Sequence, residues 1–278
     1  MKRLAILFII LVLAGCSSKA KPNANGTSSS SGSISPGATA SAPRSPSPKP
    51  DASGTSAAPN ASTSTRSSSK PTSVGSAVVP APGMYHYTQS GSIQAGPFGF
   101  NADPKGTLAI GAPVADGDAK REQQDRVYSS SWSQEQVLLF RSAGVYIKSL
   151  TTRVGSGAFV QEDVCTPSHP LKAIALPFVV GKSWSDQATC NGRTVTIQGK
   201  WLRTESRTVG GVRVTTNVVS IVTHQTGGNY NVTVNLTMWI APKYGLSVHA
   251  TQTGSGSAQG NSFTENLTED LERLTPDP

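Results

Sequence analysis

The chain has 278 residues, 36% hydrophobic and 14% charged, and its apolar residues crowd into positions 4–14 and beyond about residue 82, so the average describes no single globular domain. A net charge of +8 would ordinarily point toward nucleic acid, yet residues 81–278 carry 16 Lys plus Arg against 15 Asp plus Glu. The basicity belongs to the first 80 residues, and a near-neutral folded part offers no basic patch, which excludes a nucleic-acid partner on composition.

Lys2 and Arg3 precede an apolar run from Leu4 to Leu13, followed by Ala14, Gly15 and Cys16. A charged start, a short apolar stretch and small residues form the pattern of a cleaved export signal. The run is too short to span a bilayer as a helix, which takes about 20 apolar residues. Leu13-Ala14-Gly15-Cys16 resembles the lipobox of bacterial lipoprotein signal peptides. The resemblance implies that residues 1–15 are removed and that the Cys16 thiol carries diacylglycerol. Two or three acyl chains, at about 0.8 kcal/mol per buried methylene, anchor a protein stably. The chain is then expected on the extracytoplasmic face of a bacterial membrane: the cell membrane of a Gram-positive, or, with Ser17 after the cysteine, the outer membrane of a Gram-negative.

Residues 16–81 read as the lipidated cysteine and a tether. From Ser17 to Pro80, 20 of 64 residues are Ser and 9 are Pro, with no Leu, Phe, Tyr, Trp or Met. Such a segment buries too little apolar surface to offset its ordering entropy, so disorder is expected. As a flexible coil it reaches roughly 40–50 Å.

Residues 82–278 read as one β domain. Strands are expected at 84–94, 106–112, 126–132, 136–141, 144–154, 194–205, 212–223, 230–240 and 246–253. The alternation is clearest where Tyr230, Val232, Val234, Leu236, Met238 and Ile240 face one way and Asn231, Thr233, Asn235 and Thr237 the other. Val195, Ile197 and Trp201 repeat the pattern, with Gly199 on the same face as a bulge or close approach. The parity slips at Val218 and Val219, which predicts a bulge or burial on both faces. Gly254 to Gly260 reads as a hairpin loop, which favours a closing strand over a helix for 262–275, where Phe263, Leu267 and Leu271 recur every four residues. The fold class is all-β: a single antiparallel, strongly curved sheet, half-barrel or sandwich-like.

Two phrases carry a further resemblance, Leu176-Pro177-Phe178-Val179-Val180-Gly181-Lys182-Ser183-Trp184 and Met238-Trp239-Ile240-Ala241-Pro242-Lys243-Tyr244-Gly245-Leu246. They resemble a pattern of uncharacterised exported bacterial β proteins, in which a Pro, Gly and Trp phrase precedes several strands and a Trp, Ala-Pro and Gly-Leu hairpin follows. The resemblance implies a curved antiparallel sheet and does not imply a reaction.

With Cys16 taken by lipid, Cys165 and Cys190 form an even pair in an oxidising compartment and are expected to make a disulfide. His86, His169, His224 and His249 lack the helical spacing of a zinc protease; by parity His249 shares the polar strand face with Ser247 and Thr251, and a two-strand site from His224 and His249 is the one metal arrangement to weigh against scattered histidines. Glu162 with Asp163 and Glu269 with Asp270 are adjacent carboxylates that point to opposite faces of a strand and read as solvated charge. No nucleophile elbow, phosphate loop or dinucleotide fingerprint occurs, and no cofactor or metal is expected. The expectation is a non-enzymatic envelope lipoprotein whose partner is the membrane through its anchor, together with a cell-wall or protein partner. The alternative is a carrier of lipid or another hydrophobic ligand, with Val195, Ile197, Trp201, Val232, Val234, Leu236 and Met238 as candidate cavity-lining residues.

Overall fold

The computed structural model describes residues 77–155, 160–258 and 260–277. The expected signal peptide, Cys16 and the expected tether up to residue 76 lie outside the described residues. Fifteen strands follow one another: β1 (Gly83–Ala95), β2 (Phe98–Asn101), β3 (Lys105–Ile110), β4 (Val114–Asp116), β5 (Ala119–Ser129), β6 (Trp132–Arg141), β7 (Gly144–Val154), β8 (Gln161–Cys165), β9 (Leu171–Ala175), β10 (Ser183–Cys190), β11 (Arg193–Val209), β12 (Val212–Gly227), β13 (Tyr230–Ala241), β14 (Leu246–Ala258) and β15 (Asn261–Leu271).

All belong to one antiparallel sheet in the order β10-β11-β12-β13-β14-β15-β1-β3-β5-β6-β7-β8, with β2, β4 and β9 attached to β1, β5 and β7. Most neighbours are joined by short hairpins, and the sheet curves into a nearly closed barrel. The fold class expected from the alternation is what forms. Residues 262–275 follow the strand expectation: β15 lines up Phe263, Leu267 and Leu271 on the buried face.

The two edges of the sheet meet at a seam held by side chains. Cys165, ending β8, is bonded to Cys190, ending β10, with their Cα atoms 5.4 Å apart. Beside them Arg193 grips Asp163 with two parallel hydrogen bonds of 2.9 and 3.0 Å. Farther along, Asp186 of β10 accepts the Lys172 amide of β9 at 2.7 Å, and Trp201 Nε1–H donates to the Ala175 carbonyl at 3.0 Å. These contacts cover polar edges that would otherwise be open to pairing with another chain.

Several local expectations are corrected. The expected strand 126–132 is a hairpin, with β5 ending at Ser129 and β6 starting at Trp132. Gly254 and Gly256 are not loop residues; β14 runs through them to Ala258. Glycine is required there because a Cβ on Gly256 (φ +143°) would lie 2.0 Å from the Asn231 carbonyl oxygen, and one on Gly254 would meet the Phe263 ring at 2.9 Å. The parity slip at Val218 and Val219 reflects burial of both side chains opposite an extra residue, Leu202, in the facing strand β11. Ser247 is buried rather than outward with His249, because a register shift between Trp239 and Ile240 flips the parity of β14. Gly199 makes room for Trp184, whose indole occupies the place its Cβ would take.

Candidate functional site: a polar belt inside the barrel

The inner face is not uniformly apolar. A large cluster, containing Tyr85, Leu138, Val145, Ile147, Trp201, Val219, Leu236 and Met238, fills one part of the interior. A smaller one, containing Ile93, Tyr128, Trp132, Val154, Tyr230, Val232, Val234 and Phe263, fills another. Ala77, Val78 and Val79, where the tether ends, pack against the first.

Between the two runs a belt of buried polar side chains. Along β6 the inward sequence is Trp132, Gln134, Gln136, Leu138; along β7 it is Val154, Thr152, Leu150. Strand β5 contributes Tyr128 to the small cluster and then Arg126, Gln124 and Glu122 to the belt. Gln252 of β14, Thr223 and Gln225 of β12, Glu265 and Glu269 of β15 and Gln89 of β1 complete it, all buried. Strand pairing sets Arg126 opposite Gln134, Gln134 opposite Thr152 and Thr152 opposite Asp163. The row thus ends on the Asp163–Arg193 pair at the seam.

Arg126 is the belt's cation. It is 1% exposed, hydrogen-bonds and ion-pairs with Glu269, and its guanidinium lies 4.4 Å from the centre of the Tyr87 ring. Burial raises the Glu269 carboxyl, and Arg126 pulls the other way. Glu122 accepts from the Gln124 amide at 2.6 Å, but burial outweighs that bond and pushes its carboxyl up to about 8. Burial also pushes Glu265 up to about 8, with the Gln252 amide opposing and the Glu269 charge adding. Both carboxyls are therefore mostly protonated near neutral pH, and the belt carries one matched ion pair among neutral hydrogen-bonding groups.

The carboxylates thus correct a sequence expectation. Asp163 and Glu269 are not solvated; each points inward onto an arginine, while its neighbour, Glu162 or Asp270, points outward. Removing one partner from such a pair is costly, which is why ionic groups inside a β domain come in pairs.

The candidate lining residues Val195, Ile197, Trp201, Val232, Val234, Leu236 and Met238 are all buried, and they divide between the two clusters. Trp201 sits edge-on to Phe178 at 4.9 Å and near Trp184 at 5.8 Å. The belt residues carry no sequence motif; the one signal that marks them is inward parity of polar residues on strands whose ends are apolar.

The histidines are spread over the outside. His224 on β12 pairs with Thr233 at 3.0 Å, and His249 on β14 with Asp270 at 2.7 Å, with β13 between the two strands. His86 meets Asp277 at 2.7 Å, and His169 lies 3.6 Å from Asp186. Among the described residues no group of three or more His, Cys, Asp or Glu is placed to hold a metal ion. On the outer face, β3, β4, β5 and β7 border a groove of about 720 Å³ with Val114, Arg121, Asp125 and Lys148 at its walls.

No family model matches the chain, and no curated protein matches it. Among solved structures, it is similar to a protein named as exported and of YmcC-like fold, from Bacteroides fragilis (10% identity, 72% of this chain and 99% of that one, TM-score 0.39). It is similar also to a protein named as a lipoprotein from Parabacteroides distasonis (11% identity, 70% and 95%, TM-score 0.38). A third is the hypothetical lipoprotein YmcC of Escherichia coli (11% identity, 70% and 85%, TM-score 0.31).

Proposed function

We propose that the protein is a lipid-anchored component of a bacterial cell envelope, whose β domain works outside the cytoplasm as a non-enzymatic binding or structural module. The observation that carries this is the Cys165–Cys190 bond across the barrel seam. Disulfides persist in oxidising compartments, and this one joins the two edges of the sheet. The lipobox-like Leu13 to Cys16 supports the anchor, and the long Ser- and Pro-rich segment after it gives the domain reach beyond the membrane. A non-catalytic role is favoured because the belt carboxyls raised by burial, Glu122, Glu265 and Glu269, are shut inside the barrel, away from any macromolecular substrate. The outer groove beside Val114 and Lys148 is the surface we assign to a protein or cell-wall partner.

The lipid-carrier reading has less support. An acyl chain lying along the barrel would pass Glu122, Glu265 and the Arg126–Glu269 pair, and hydrocarbon cannot return the hydrogen bonds of such groups. Labelled palmitate fed to a bacterial host expressing the full chain tests the anchor. The label should co-migrate with the protein in the membrane fraction and vanish in Cys16→Ser; label that persists in that variant, or a wild-type chain recovered unlabelled from the cytoplasm, refutes it.

A further inference from the structure

We propose that the polar belt is an internal solvent-binding site, in which a cluster of ordered waters bridges Gln136, Gln225, Gln252, Glu265 and Glu122. This goes beyond the anchoring role and does not rest on it. Gln136 and Gln225 are each at most 1% exposed, and neither amide atom of either hydrogen-bonds to a protein group. The same holds for Glu122 Oε2 and for Gln124 Oε1, while Gln252 and Glu265, buried beside one another, keep further donors and acceptors to offer. All sit at buried positions of β5, β6, β12, β14 and β15, strands of one sheet that curves around a common interior.

Buried amides and carboxyls are rarely left without a partner, and a polar chamber with several converging groups is where water binds inside a protein. Glutamine suits the task, since each offers two donor hydrogens and two acceptor lone pairs to a small molecule that can do both. At about three hydrogen bonds per water, the belt calls for roughly four to six waters. The two apolar clusters that bound it seal it from bulk solvent, so residence should be long. Neutral carboxyls at Glu122 and Glu265 keep the site free of unbalanced charge, and the occupant is accordingly uncharged and hydrogen-bonding.

The test is a crystal structure of the full chain at a resolution that shows ordered water, together with the melting temperature of Gln225→Met. Expected is water density within hydrogen-bond distance of Gln136, Gln225, Gln252 and Glu265. In the variant the waters lose a ligand, and the melting temperature should fall by about 2–6 °C. Side chains found turned onto one another with no density between them overturn the proposal, as does a variant that melts higher than wild type, the mark of a dry, unsatisfied amide. Continuous density for an alkyl chain through the belt also overturns it. That result would leave the palmitate experiment untouched, so failure of this inference and failure of the anchoring role are separable.

Discussion

Arg126 and Glu269 are among the most deeply buried ionic groups in the barrel, and each is the other's compensation. Glu269→Gln should destabilise the domain by about 3–5 kcal/mol in denaturant unfolding, because it leaves a guanidinium inside without its counter-charge. The two protonated carboxyls predict a pH effect of definite sign. Folding raises Glu122 and Glu265 from the usual 4.5 to about 8, so across that window the folded chain holds protons that the unfolded chain has released. Stability is then greatest below about pH 4.5 as far as these groups are concerned, and it falls as pH rises toward 8. Thermal unfolding measured at pH 5.5 and pH 8 should give the higher midpoint at pH 5.5. Glu265→Gln should shrink the difference; a midpoint that rises with pH, or a variant with an unchanged difference, contradicts the assignment.

At the scale of elements, the seam is where the sheet depends on covalent help. Replacing Cys165 and Cys190 together by alanine should cost about 3.5 kcal/mol on the chain-entropy estimate, and amide hydrogen exchange should quicken first in β8 and β10. Uniform exchange, or protection unchanged at those strands, would mean that the bridge is ornamental. Alternation is clearest on strands with a fully apolar inner face, such as β13, where every inward residue from Tyr230 to Ile240 is large and hydrophobic. The elements it hides, the first half of β5 and β8 to β10, build part of the belt and the seam. Ala119 to Asp125 carries no expected strand, because Glu122 and Gln124 occupy inward positions and break the apolar alternation, yet it is the first half of β5. Strands β8, β9 and β10 are short, Pro167 and Pro170 lie between the first two, and their buried residues mix Asp163, Cys165 and Ala188 with Leu171 and Ile174, so no period-two signal rises above the turns around them. Local pattern fails at the seam and in the first half of β5, where polar, ionic and small residues take inward positions.

For the molecule as a whole, the sheet's curvature places two apolar clusters on either side of a hydrogen-bonding belt, and side-chain bonds at the seam bring the sheet's two edges together. The sequence offers a lipobox-like start and the alternation of a β domain; only the fold reveals that its apolar candidates, Val195 to Met238, divide between two cores instead of lining one cavity. That arrangement favours a filled domain over a hollow carrier. Native mass spectrometry of the chain from residue 17 onward, exported to an oxidising compartment and purified without detergent, tests this most directly. The account predicts a mass about 2 Da below that of the reduced polypeptide, one disulfide and no retained lipid. A retained mass that extracts into organic solvent would contradict it and make the barrel a hydrophobic carrier.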